Sequence, residues 1–235
     1  MTGRRVRVIG DDTIATVAVS GPHSLRRRGD RLEVISEDEP NATSRGFILG
    51  KIPRSGEDLR RLGLGEALTV RVNPAIETSV ELTGGSLNSV GVPYFDTVRV
   101  TGGLTDLRDI TRVSDMLVQA GGASLHGDFR GGRSRVRVET GNLNVALTPT
   151  ANVTITASAR LGGVSWPDGG AKLDEFVAGN GAGRLELNAF VGRIAVRQDG
   201  STTPGATDSF REDAENQATN EKDTNDKQWW EIWRH

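Results

Sequence analysis

The chain has 235 residues, a formal charge of -2 at pH 7, 30 glycines and no cysteine. The lack of cysteine excludes disulfides and thiolate chemistry, and the near-zero charge excludes a general attraction to nucleic acid or anionic lipid. Apolar residues make up 35% and aromatic residues only 5% of the chain, so the core must consist mainly of valine, leucine, isoleucine and alanine.

The N-terminal residues 1–8 carry arginines but lack the apolar stretch of a signal peptide. No apolar run approaches the roughly 20 residues that a membrane-spanning helix needs. These features predict a cytoplasmic protein. Residues 4–36 then read as short alternating strands bounded by Gly, Asp and Pro, which predicts antiparallel pairing. The run Arg26-Arg27-Arg28 is interpreted as the solvated end of a hairpin rather than a nucleic-acid-binding patch.

The alternating pattern is interrupted between residues 37 and 65. Pro53, Ser55 and Asp58 form the signature of a helix N-terminus with a capping acid. We therefore predict one short helix or helical loop at 56–62, which would shield an end of the sheet. Exposed sheet ends need such covers because their backbone groups are unpaired.

From Val80 to Gly163 a short alternating strand ends repeatedly in a small-residue corner. The corner glycines are 18, 19, 20 and 21 residues apart: Gly84, Gly102, Gly121, Gly141 and Gly162. One such coil cannot bury its own apolar side, but stacked coils about 4.8 Å apart can align their apolar residues in rows. After each corner one leucine is expected to return to the interior, in order Leu87, Leu104, Leu125 and Leu143.

A longer excursion at 164–183 precedes two final strands at 183–197, which are expected to close the stack. The repeat predicts an all-β, single-domain β-solenoid-like stack of glycine-cornered strands over residues 1–198. The runs Val70–Pro74, Gly179–Leu187 and Gly192–Val196, together with the Thr-Gly and Gly-Gly corners, resemble the bacterial toast-rack or "putative adhesin" domains. The resemblance covers about residues 4–197. It implies a β-solenoid of unknown function, often encoded beside membrane stress-response components, and it brings no catalytic residues.

The composition changes sharply after Gln198. Residues 199–228 are acidic and polar, with Phe210 as almost the only apolar side chain, and predict a disordered linker. The chain ends in a motif at 229–235 that holds three of its four tryptophans. In a helix, Trp229, Ile232 and Trp233 would share one face with Trp230 beside it. Trp229, Trp230, Ile232 and Trp233 are therefore the predicted partner-binding residues, because tryptophan is enriched in binding hot spots.

No residue pattern in the chain predicts a catalytic, cofactor or metal site. Ser124, His126 and Asp128 would lie on one strand face, which is too spread for a catalytic relay. The aspartates near the corners lack the regular spacing of calcium-binding repeats. The outward residues Glu81, Arg99, Gln119 and Arg137 or Glu139 are expected to align as a solvated ladder of mixed charge.

Three functions remain open from the sequence. The favoured one is a non-catalytic cytoplasmic scaffold or interaction protein, with the tryptophan motif docked on a partner protein in an envelope-stress or membrane-associated assembly. Docking of the motif on its own body, and contact with a membrane, are less favoured. The second function is a self-assembling solenoid or an adhesin-like surface protein, with homo-oligomers formed through the body or the tail. A hydrolase acting on a solenoid face is the least favoured, since it requires clustered carboxylates.

Overall fold

A computed structural model describes residues 2–29, 31–36, 67–167 and 175–199 of the chain. The helical turn predicted at 56–62 lies outside these ranges, as do residues 200–228 of the linker and the motif at 229–235. The described residues form an all-β structure, as the repeat predicts. Its strands are β1 (Thr2–Gly10), β2 (Val17–Ser20), β3 (His23–Arg28), β4 (Arg31–Ser36), β5 (Ala67–Val72), β6 (Thr78–Val90), β7 (Tyr94–Thr101), β8 (Gly103–Ile110), β9 (Arg112–Gly127), β10 (Arg133–Thr140), β11 (Leu143–Leu147), β12 (Val153–Ser165), β13 (Glu175–Ala178) and β14 (Gly183–Gln198).

The main sheet has two halves that meet at a line of glycine corners. The long strands β6, β9, β12 and β14 cross this line and contribute to both halves. The first half-sheet has the order β6-β7-β9-β10-β14-β12-β13, and the second has the order β2-β5-β1-β6-β8-β9-β11-β14-β12. Within the described residues all neighbours in this sheet are parallel except β2 and β13, which lie at its margins.

The core lies on the inner side of both half-sheets, where equivalent residues of successive strands form rows. Strands place alternate side chains on opposite faces, so every second residue joins a row. A row of the first half-sheet contains Val80, Val98, Met116, Val136, Leu187 and Ala157. A row of the second contains Leu68, Val6, Leu87, Thr105, Ala123, Leu143, Ile194 and Val164. These rows confirm the predicted stacking of short-branched apolar residues.

Two of the predicted pairings are wrong. The N-terminal strand β1 was expected to pair antiparallel with its neighbours in sequence, but it lies parallel between β5 and β6. The strand β14 was expected to close the stack as a pair of strands, but it is one bent strand between β10 and β11 on one side and β12 on the other. Alternation of side chains identifies a strand but does not specify which strands pair with it. The sequence therefore gives no indication that β1 and β14 lie between other strands.

The antiparallel prediction holds for β2 with β5 and for the separate hairpin β3–β4. In that hairpin the side chains of Arg26, Arg27 and Arg28 are exposed near the turn. The Arg28 Nε atom lies 3.5 Å from Glu33 Oε1. The arginine run is thus at a solvated hairpin end.

The corners form a continuous column of glycines along the stack. In spatial order the column is Gly85, Gly103, Gly121, Gly141, Gly192 and Gly162. Their φ angles lie between +108° and +155°, a range that residues with a side chain rarely adopt. A Cβ atom on any of the last five would lie 1.5 to 2.1 Å from the carbonyl oxygen of the preceding glycine in the column. Only glycine therefore permits the strands to bend while remaining paired.

The column also explains an error in the predicted core. The inward residue is always the second after the column glycine, as in Leu87 after Gly85 and Leu143 after Gly141. In the second coil the column glycine is Gly103, so Thr105 points inward, with 3% of its surface exposed, and Leu104 points outward, with 66% exposed. Leu104 was assigned to the interior because it is the first leucine after the corner at Gly102. Leu87, Leu125 and Leu143 are buried as predicted.

Two hydroxyl groups lie inside the core without a hydrogen-bond partner among the residues that the structure describes. They belong to Ser89 and Thr105, both almost fully buried. Ser89 sits between Val8 and Leu107 in its row, and Thr105 sits between Leu87 and Ala123. A buried hydroxyl loses its hydrogen bonds to water, so each of these groups lowers the stability of the fold.

The glycine column predicts a position-specific effect of adding one methyl group. We expect Gly141→Ala to reduce the free energy of unfolding by about 3 kcal/mol or more, because the new Cβ meets a backbone oxygen and the φ angle becomes strained. Gly163→Ala is the matched control, since its Cβ would meet nothing within 4 Å. Urea unfolding should show a change within about 0.5 kcal/mol for this control. Equal losses in the two variants would contradict the role of the column.

The buried hydroxyl predicts a stabilising substitution. Thr105→Val keeps the shape of the side chain and removes the unpaired oxygen, so we expect the free energy of unfolding to rise by about 1–2 kcal/mol. Thermal unfolding of Thr101→Val provides the comparison, because the exposed Thr101 hydroxyl donates a hydrogen bond to Gln119 Oε1 at 2.7 Å. A drop in melting temperature for Thr105→Val would contradict the assignment.

Candidate interaction surfaces

An ion-pair cluster lies on the outer side of the first half-sheet, centred on Asp115 of β9. Arg99 of β7 donates from Nη2 to Asp115 Oδ2 at 2.6 Å. Arg137 of β10 donates from Nη2 to Asp115 Oδ1 at 3.0 Å. Parallel pairing brings the three strands side by side, so one carboxylate serves two guanidinium groups and links three successive coils.

A second cluster is centred on Glu186 of β14. Arg133 donates from Nη2 to Glu186 Oε2 at 3.0 Å, and Arg135 donates from Nε to the same oxygen at 3.4 Å. Asn188 Nδ2 donates to Glu186 Oε1 at 3.3 Å. The hydrogen bond from Arg133 holds the pKa of Glu186 below its usual value, helped by Asn188 and the charge of Arg135 and opposed by partial burial.

The predicted charge ladder is present in part. Glu81, Arg99 and Arg137 share an outward row, with Leu117 between the two arginines. Gln119 lies one outward position further along β9, where it accepts the hydrogen bond from Thr101. A shallow depression of about 310 Å³ lies between these rows, lined by Glu81, Arg99, Val100, Thr101, Leu117 and Gln119.

Sequence reasoning missed Asp115, the residue that binds both arginines. Asp115 lies two residues before Leu117 and therefore on the same outer side of β9. The contact is diagonal, because each arginine reaches an acid two positions along the neighbouring strand and not the residue directly opposite. An alignment of directly opposite residues therefore does not reveal it. Glu186 could not be paired with Arg133 from the sequence, because that contact depends on the insertion of β14 beside β10.

His126 and Asp128, which the sequence places on one strand face with Ser124, have separate partners. His126 Nε2 lies 3.0 Å from Asp199 Oδ2, and the Asp128 carboxylate lies 3.0 Å from Arg130 Nε. The Asp199 backbone N–H also donates to Leu147 O at 2.9 Å. These contacts fix the point at which the chain leaves β14 toward the C-terminal segment.

The predicted partner-binding residues Trp229, Trp230, Ile232 and Trp233 lie outside the described residues. Trp166, the remaining tryptophan, is 5% exposed and stacks on Phe176 with a centroid separation of 5.9 Å. No group of three or more His, Asp or Glu side chains in the described ranges is placed to hold a metal ion. In those ranges no helix is long and apolar enough to cross a membrane.

The Glu186 cluster predicts a pH-dependent contribution to stability. Because its folded pKa is lowered, the contribution is complete above the usual value of 4.5 and is lost as the pH falls through the folded pKa. We expect Glu186→Gln to lower the free energy of unfolding by up to about 1 kcal/mol at pH 7, a surface ion-pair magnitude. That difference should shrink in urea titrations as the pH falls below 4.5. Glu139→Gln, at an exposed acid without a described ion-pair partner, is the control. A difference that grows on acidification would contradict the assignment.

No family model matches the chain, and no curated protein matches it. Among solved structures, the chain is similar to a "putative cell adhesion protein" from Clostridium sporogenes ATCC 15579. The two sequences are 15% identical, and the match covers 84% of this chain and 90% of the other with a TM-score of 0.48. At this level of similarity the match carries no information about activity, substrate or partner.

Proposed function

We propose that the protein is a non-catalytic cytoplasmic scaffold whose C-terminal motif docks on a partner protein. The observation that carries the proposal is the rigid point of departure at Asp199. There the last core strand ends, and the chain is held both by Leu147 O and by the His126 side chain. When a linker begins at a fixed point of the body, the position of that point sets the region that a tethered binding motif can reach.

The motif itself has the composition of a binding anchor. Trp229, Trp230, Ile232 and Trp233 would present large apolar surfaces to a groove, the mode used by short helical ligands. The preceding segment of polar residues would act as a flexible linker. A flexible chain of about 30 residues has a root-mean-square span of roughly 30 Å, so the motif could search a volume comparable to the body.

The body fits the role of a passive platform. Part of its outward charge is paired, as in the clusters around Asp115 and Glu186. Paired charges stiffen a surface more than they attract a ligand, since each carboxylate is already neutralised. The resemblance to toast-rack domains supports placing the partner in an envelope-stress or membrane-associated assembly.

The proposal predicts loss of partner capture when the tryptophans are removed. We expect the full chain to retain one or more proteins from lysate of the source cell, and the variant Trp229→Ala/Trp230→Ala/Trp233→Ala to lose them. A loss of at least about tenfold in recovered partner is expected if the three side chains fill a common groove. Quantitative mass spectrometry of the bound fraction measures the change.

Phe210→Ala provides the matched control, because it removes an aromatic residue from the polar segment and leaves the motif intact. Both variants should unfold at the same temperature as the wild type, which separates docking from folding. Recovery of the same partners at the same level by the triple variant would overturn the proposal. Light scattering of the same samples distinguishes a self-assembling solenoid, whose oligomers would persist in purified protein.

A further inference from the structure

At the β12 end of the stack, part of one sheet edge has no strand neighbour among the described residues. β12 pairs with β14 along its whole length, from Val153 to Ser165. On its other side β13 covers only Val153 to Thr156. From Ser158 to Ser165 that side has no strand neighbour in the described chain, and most of these residues are exposed.

An open edge of this length is unusual, because unpaired N–H and C=O groups invite another strand to pair. Two of the other margins end in the four-residue strands β2 and β13, which are antiparallel to the stack and short. The remaining margin is the first part of β6, which is shorter than the open part of β12 and carries the acid Glu81. In contrast, the open part of β12 contains neither proline nor an acidic residue, and Arg160 is its only charge. The devices that normally protect an edge are thus mostly missing here.

Apolar side chains lie beside the open edge. Leu161 is 60% exposed, Phe190 is 49% exposed and Val191 is 38% exposed. Leu161 and Val191 are direct neighbours across the β12–β14 ladder, and the Arg160 guanidinium lies 5.2 Å from the centre of the Phe190 ring. The edge therefore offers backbone groups and an apolar contact together, which is how added strands gain affinity and specificity.

The edge is also accessible to an incoming chain. A Cβ atom built on Gly163 would meet nothing within 4 Å. Gly163 thus has open space above the sheet within the uncovered segment, and a strand glycine often marks a place where another backbone approaches closely.

The charged side chains around the edge indicate which kind of chain would bind there. Arg160, Arg193 and Arg197 are exposed, and none has a carboxylate partner in the described ranges. A second copy paired edge to edge would bring the two Arg160 side chains into the same interface, and like charges disfavour that pairing. An acidic chain would instead find three unpaired cations.

From these observations we propose that the edge of β12 between Ser158 and Ser165 accepts one additional β-strand from an acidic, extended segment of a partner protein. The backbone of that segment continues the ladder beyond β13. Its apolar side chains contact Leu161, which packs beside Val191, and its carboxylates pair with Arg160. None of the residues of this surface belongs to the tryptophan motif at 229–235, so each contact can be tested with its own variant.

The test uses the full chain and a fluorescent eight-residue peptide in which valine alternates with glutamate, with one glycine at the position opposite Gly162, because the column leaves no room for a Cβ atom there. Fluorescence anisotropy should show binding that is about tenfold tighter than that of the same peptide with lysine in place of glutamate. A peptide N-methylated at alternate residues, which cannot pair on one side, should bind about tenfold more weakly than the unmodified one. Hydrogen exchange followed by mass spectrometry should show slower exchange confined to the segment containing 158–165.

Variants of the full chain assign the surface. Arg160→Glu should weaken binding of the glutamate peptide about tenfold, whereas Arg7→Glu, at an exposed arginine of β1, should change it by less than about twofold. The triple tryptophan variant should bind the peptide as the wild type does, which separates this result from the motif's docking.

Several results would overturn the proposal. The first is no binding of the glutamate peptide, and the second is equal binding of the N-methylated peptide. Protection outside the β12 edge would also refute it. Protection of 158–165 that rises with protein concentration in the absence of peptide would assign the edge to a second copy instead.

Discussion

The structure depends on the close approach of backbones along the glycine column. The carbonyl oxygen of each column glycine except the last lies 1.5 to 2.1 Å from the position that a Cβ atom on the next glycine of the column would take. This contact lets β6, β9, β12 and β14 turn from one half-sheet to the other without losing their ladders. It also places the second residue after every column glycine on the inner side of the sheet. The backbone geometry at the column thus determines which residues of the second half-sheet face the core.

Much of the fold could be predicted because alternation and glycine spacing are local signals. The all-β class, the stacked rows and the burial of Leu87, Leu125 and Leu143 follow from them. The misplacement of Leu104 has a local cause as well, since the pairs Gly84-Gly85 and Gly102-Gly103 each offer two candidates for the column. Only the pairing of coils shows that the second glycine of each pair is the one in the column.

The outer surface was less predictable because its contacts cross between strands that are distant in sequence. Arg133 and Glu186 are 53 residues apart, and no periodic pattern indicates that they meet. Asp115 escaped notice for a different reason, since it lies diagonally from the arginines it binds. The sequence thus shows which charged residues the strands carry. The ion-pair partners of these residues are known only once the strand order is known.

Both terminal strands of the body lie inside the stack rather than at its ends. β1 lies between β5 and β6, and β14 lies between the β10–β11 coil and β12. Simple solenoids can grow repeat by repeat, with each unit contacting only its neighbours. During synthesis of this chain, by contrast, β12 has no place in the stack until residues 183–198 emerge. A change in β1 or in β14 would therefore alter a strand that the coils on both of its sides share.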